Sequence, residues 1–157
     1  LVPEVTSLLH GLLDWQKVLS VPCLGTVKAH PSFRLVACMN HGYAGTKELN
    51  EAFQDRFRSV QVPHLPANIL AELLVRETGC ERAEADKLSA LFHKLAGRVE
   101  NGDITERCLS VRGLVRIIRE RRDGLGDTRE IARSVLTEGL GDRYEAEQIA
   151  DVIDACL

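Results

Sequence analysis

None of the five cysteines, Cys23, Cys38, Cys80, Cys108 and Cys156, stands in a CxxC pair. Their scatter and odd number argue against a disulfide framework or a cysteine zinc site, and suit free thiols in a reducing compartment. The five histidines make no HxxxH or HExxH pair, so no metal site is expected. No apolar run approaches the roughly 18 residues a membrane span needs, and no basic-then-apolar leader opens the chain. A cytoplasmic protein without a membrane span is therefore expected. Aromatic residues make up only 4% and the net charge is −3. Neither a base-stacking pattern nor a general pull toward nucleic acid follows. Also missing are a GxxxxGK[ST] phosphate loop and a hydrophobic run ending in paired acids.

What is present suffices for a core: 45% of the 157 residues are hydrophobic. Residues 3–15 read as a helix, with Pro3 suited to its first turn and Val5, Leu8, Leu9, Leu12 and Leu13 on one stripe. KVLSV, the turn PCLG and TVKAH read as a β-hairpin. FRLVACM is nearly continuous apolar sequence, as in a strand covered on both faces of a parallel sheet. Residues 46–57 read as a helix with Leu49, Ala52 and Phe53 on one face, and SVQV as a short strand. Trp15, the only tryptophan, is expected in a core or an interface.

After HLP the pattern turns wholly helical. Helices are expected over 67–78 and over 82–100, the second with Leu88, Leu91, Phe92, Leu95 and Val99 on one stripe. Ser110 can cap a helix to about Arg122. Asp127 with Glu130, and Asp142 with Glu145, have the spacing of capping boxes that start two more helices, the last reaching Ile153. The expected organisation is an α/β part over 1–64 followed by an all-α part over 65–157. A strand buried on both faces needs neighbours on both edges, and too few strands are present to supply them. With Leu1 as its first residue, the chain reads as the C-terminal half of a larger unit.

The order is helix, hairpin, apolar strand ending in Asn40, glycine-containing loop, helix ending Asp55-Arg56-Phe57, then helices containing SVRGL. That order and its wording resemble the MoxR family of AAA+ ATPases. VPEVTSLLHGLLD resembles the helix after the family's Walker B strand. VLSVPCLGTVKAHPSF resembles the hairpin inserted before its sensor 1 strand, and FRLVACMN with GYAGTKELNEAFQDRF its sensor 1 and arginine-finger region. The resemblance covers essentially the whole chain, most strongly over 29–57. It implies an incomplete P-loop AAA+ α/β core, in its C-terminal part with the inserted hairpin, and a helical lid bundle.

By this resemblance Asn40 is sensor 1, orienting the water that attacks the γ-phosphate; its plainer reading is a strand-ending turn residue. Arg56 is the arginine finger, reaching ATP held by the adjoining subunit, where such a group supplies about 10³–10⁵ in rate. Arg58 is the rival finger, and a surface network of Glu51, Asp55 and Arg58 is the bland alternative. Arg112 in SVRGL is sensor 2, contacting the γ-phosphate of its own subunit's ATP. Against that, Arg112, Arg116, Arg119, Arg121 and Arg122 could largely form a solvated basic face. The hairpin, with Val18, Val21, Leu24 and Lys28, either faces a ring pore or packs on its own domain.

The resemblance further implies ATP and Mg²⁺ as cofactors, with most of their ligands N-terminal to Leu1. It implies a homo-oligomeric, hexameric ring that remodels, activates or assembles a client protein or metalloenzyme, often beside a partner carrying a von Willebrand factor A domain. The chain alone, lacking both Walker elements, is expected to be inactive as an ATPase. The competing expectation is a non-catalytic helical binding module or scaffold that engages nucleic acid through the basic helix 112–122, or a subunit whose parent has lost its phosphate loop.

Overall fold

The computed structural model describes residues 9–21, 23–38 and 51–157. Asn40, Leu49 and the glycine loop before α2 lie outside the described residues. The chain divides into two units, Leu1–Val62 and Pro63–Leu157, and each has its own character. It is mostly helical, with one small antiparallel sheet among the described residues. No helix among them is long and apolar enough to cross a membrane.

In the first unit, helix α1 is seen over residues 9–13 and leads into the hairpin of β1 (Val18–Val21) and β2 (Gly25–Lys28). The strands pair Val18 with Lys28 through Val21 with Gly25, and the Ala29 N–H donates to the Lys17 carbonyl beyond them. Leu24 N–H closes the turn on the Val21 carbonyl, with Cys23 at φ 65°. α1 runs close to β1. A Cβ on Gly11 would stand 2.7 Å from the Val18 carbonyl oxygen, so this approach requires glycine. α2 (Glu51–Gln54) follows, with Phe53 buried.

Three sequence expectations are corrected here. Residues 33–38, most of FRLVACM, and residues 59–62, SVQV, form no strand. Val36, Val60 and Val62 are 85%, 75% and 84% exposed. A parallel strand exists only through its neighbours' hydrogen bonds, and β1 and β2 pair with each other alone. Ala52, expected on the apolar face, is exposed beside Phe53; Trp15, at 87% exposed, lies in no core here, which leaves the interface half of its expectation. Phe53 is the one buried apolar residue among the described residues of this unit.

The second unit holds the core. α3 (Ala67–Thr78), α4 (Arg82–Glu100), α5 (Val111–Arg122), α6 (Thr128–Thr137) and α7 (Arg143–Cys156) pack as α3 on α4, α5 on α6, and α7 on both α4 and α6. Leu70, Leu74, Leu88, Leu91, Ile117 and Ile149 are fully enclosed. Each helix is bounded by a local device. Gly79 ends α3 at φ 72° and donates to the Val75 carbonyl, a left-handed cap that favours glycine. The Ser89 hydroxyl donates to the Ala67 carbonyl at 2.7 Å, tying α4 to the start of α3. Ser110 caps α5 by accepting from Gly113 N–H.

The Asp127–Glu130 capping box of α6 is complete. The second expected box is not. Asp142 accepts from Tyr144 N–H, while Glu145 turns away and accepts from the Thr105 N–H and hydroxyl at 2.7 and 2.6 Å. A tertiary partner has taken the carboxylate that local spacing assigned to the cap. Glu145 thereby holds the 3₁₀ turn Glu106–Cys108 against α7.

Candidate functional site

Two arginines expected at a nucleotide fall within the described residues, one in each unit. Arg56 lies just past α2. Its Nε donates to Asp14 Oδ1 at 2.7 Å and its Nη2 to Asp14 Oδ2 at 3.5 Å. Its Nη1 donates to the Ala52 carbonyl one helical turn back. Alongside this pair, His10 stacks on Phe53 with ring centroids 5.7 Å apart, and Phe53 meets Phe57 at 5.1 Å. Two rungs thus join the end of α1 to α2: His10 with Phe53, and Asp14 with Arg56. The hydrogen bond from Arg56 holds the Asp14 carboxyl below its usual range despite some desolvation, and Asp14 holds Arg56 above its own. The ion pair is half-buried, with side chains 28% and 40% exposed.

Arg58, the rival finger, is exposed and makes no ion pair among the described residues. The surface network of Glu51, Asp55 and Arg58 is likewise not formed there. Asp14 was missed by sequence reasoning because it lies 42 residues from Arg56. No local spacing links them; only the meeting of α1 and α2 does.

In the second unit, a shallow cleft of about 460 Å³ runs between α3 and α5. Its apolar lining comes from Leu73, Val111 and Val115, and its charged rim from Arg112, Arg116 and Arg119 together with Glu77 and Glu120. These arginines recur at i, i+4 and i+7, which puts them on one helical face. Their states differ. Arg116 is held by Glu120 and Glu138, both at 2.6 Å, and these carboxylates raise its pKa. Arg121 pairs with Glu84 at 2.7 Å, and Arg122 lies 3.9 Å from Asp123. Arg112 and Arg119 are exposed and have no carboxylate partner among the described residues.

The expected basic face of α5 is therefore largely neutralised, and two unpaired cations remain beside the cleft. Glu138, on the loop after α6, was not anticipated in this role, because its contact with Arg116 spans 22 residues. Arg112 stands in the first turn of α5, which carries no acidic residue. There the helix dipole disfavours a cation by about 0.3–1 kcal/mol.

No family model matches the chain. It is similar to the uncharacterized protein YojN of Bacillus subtilis (strain 168), with 32% identity over 115 residues, or 72% of this chain and 38% of that protein. An uncharacterized protein of Staphylococcus haemolyticus is also 32% identical over 115 residues, covering 44% of its own length. An uncharacterized protein of Staphylococcus epidermidis (strain ATCC 12228) is 29% identical over 157 residues, which cover 97% of this chain and 58% of that protein. The chain thus spans about 38% to 58% of the length of these curated relatives.

Proposed function

We propose that the chain is part of a MoxR-type AAA+ ATPase whose full-length polypeptide couples ATP hydrolysis to remodelling, activation or assembly of a partner protein. Arg112 carries this reading. It is a cation at a helix start, without a carboxylate partner among the described residues, on the rim of a cleft. A lid residue that contacts a γ-phosphate needs those properties. The hairpin β1–β2 in the position the resemblance implies supports the same reading. The guanidinium of Arg56 is paired with Asp14 of its own chain, so a role in trans falls to its remaining N–H groups. The relatives' greater length leaves room for the phosphate loop and the acidic Mg²⁺ ligands that this chain lacks.

In such a protein Arg112 would engage the triphosphate of its own subunit, and Arg56 that of a neighbour in a hexameric ring. Asn40 would orient the attacking water. ATP and Mg²⁺ supply the phosphoryl chemistry; this chain supplies charge and position. A client bearing a von Willebrand factor A domain, and a cytoplasmic location, belong to the same proposal. A nucleic-acid module is less well supported, because Arg116, Arg121 and Arg122 already face carboxylates. Such a helix would release few phosphate counterions.

The test is made in the full-length protein. Arg56→Ala is expected to leave ATP binding intact and lower turnover by about 10³-fold or more. Arg112→Ala is expected to weaken ATP binding itself. Wild-type turnover in Arg56→Ala together with wild-type ATP affinity in Arg112→Ala would overturn the reading.

A further inference from the structure

An arginine that acts across a boundary must arrive with its fork already aimed, because its reach of several rotatable bonds otherwise disperses it among rotamers. A guanidinium has five N–H groups in one plane. On Arg56, the side edge formed by Nε and Nη2 is turned to the two carboxylate oxygens of Asp14. One Nη1 N–H is taken by the Ala52 carbonyl. These contacts fix the plane from two sides and use three of the five donors, leaving one N–H on each terminal nitrogen. Arg56 is 28% exposed, so its group is not sealed away from solvent.

The platform that carries Asp14 is itself held. Asp14 N–H donates to the His10 carbonyl and Lys17 N–H to the Asp14 carbonyl. His10 stacks on Phe53, three residues before Arg56. Gly11 admits β1 directly against α1. The carboxylate therefore sits on a segment braced by both the hairpin and α2. Arg58 has no comparable clamp among the described residues, which separates the two candidate fingers on geometry.

We propose that Asp14 is the positioning residue of the arginine finger: its carboxylate grips the side edge of Arg56 and presents the remaining terminal N–H groups to phosphoryl oxygens of a neighbour's nucleotide. This rests on the reading of Arg56 as a finger. Asp14 touches no substrate, so its removal changes the aim of Arg56 and not the affinity for ATP.

The experiment is a double-mutant cycle on ATP turnover in the full-length protein, using Asp14→Asn, Arg56→Ala and the double variant, with melting temperature and ring size measured for each. Asp14→Asn is nearly isosteric. It is expected to lower kcat by about 10- to 100-fold, as a misaimed group does, with KM for ATP unchanged and the melting temperature lowered only slightly, by loss of the partly exposed ion pair. The double variant is expected to match Arg56→Ala, because Asp14 acts only through Arg56. Asp14→Glu keeps the charge but moves the carboxylate by one methylene, and should give an intermediate kcat.

If Arg56→Ala is inactive while Asp14→Asn turns over like wild type, the positioning role is overturned and the finger reading stands. A double variant slower than Arg56→Ala also overturns it, since Asp14 would then act elsewhere. Wild-type turnover in Arg56→Ala removes the finger and this proposal with it. Should Asp14→Asn fail to assemble, Asp14→Glu decides: a lowered kcat in an intact ring supports the role, and a wild-type kcat overturns it.

Discussion

Cys108 is buried, while Cys23 and Cys38 are exposed, and this difference in surroundings sets their chemistry. Desolvation, opposed by a local backbone hydrogen bond and helped by the nearby Glu145 carboxylate, pushes the Cys108 thiol up to about 11. The thiolate is the reactive form, so Cys108 is protected twice, by access and by protonation. Iodoacetamide at about pH 8 should label Cys23 and Cys38 in the native chain and Cys108 only after denaturation. Mass mapping of the labelled peptides checks this; prompt native labelling of Cys108 would contradict it. The linkage sign follows. The folded thiol holds its proton to a higher pH than the unfolded one. Its contribution to stability is fully present below about 9 and is lost as pH rises toward about 11. Asp14 runs the other way. Its lowered value makes its contribution present above the ordinary carboxylate range and lost as pH falls through the depressed one.

At the scale of elements, the ends of helices separate what local sequence controls from what it does not. Asp127 and Glu130 satisfy each other's backbone N–H groups at the start of α6. Replacing Asp127 with Ala leaves the Glu130 N–H without its side-chain acceptor, and is expected to destabilise the chain by about 1 kcal/mol. Urea unfolding of both forms would show a lower midpoint at an unchanged slope. The span 82–100 was legible from its apolar stripe, although neither it nor 67–78 has a side-chain cap at its start. Asp142 and Glu145 carried the same local signature as Asp127 and Glu130, but Thr105 competes for Glu145 from 40 residues away. FRLVAC and SVQV failed for a related reason: the apolar content of a strand is local, but its partners are not. The hairpin succeeded because its two strands carry their partners with them.

The whole molecule divides its stability unevenly. The enclosed side chains from Leu70 to Ile153 all belong to residues 63–157, and every helix from α3 to α7 contributes to that one cluster. Among its described residues the first unit encloses Phe53 alone, with Val36, Val60 and Val62 facing solvent. At about 25 cal/mol per Å² of buried apolar surface, one phenylalanine offsets little of the ordering of those residues. This imbalance also explains which part of the candidate site could be read. Arg112 sits on a helix that folds from its own neighbours, so its position follows from Ser110 and the α5 stripe. The setting of Arg56 depends on a distant Asp14, and Asn40 was assigned by likeness of wording alone. Residues 63–157 expressed by themselves are therefore expected to fold cooperatively, with helical circular dichroism and a single sharp thermal transition. Residues 1–62 by themselves are expected to show neither. A broad, uncooperative melt from the 63–157 piece would show that the helical unit depends on the first.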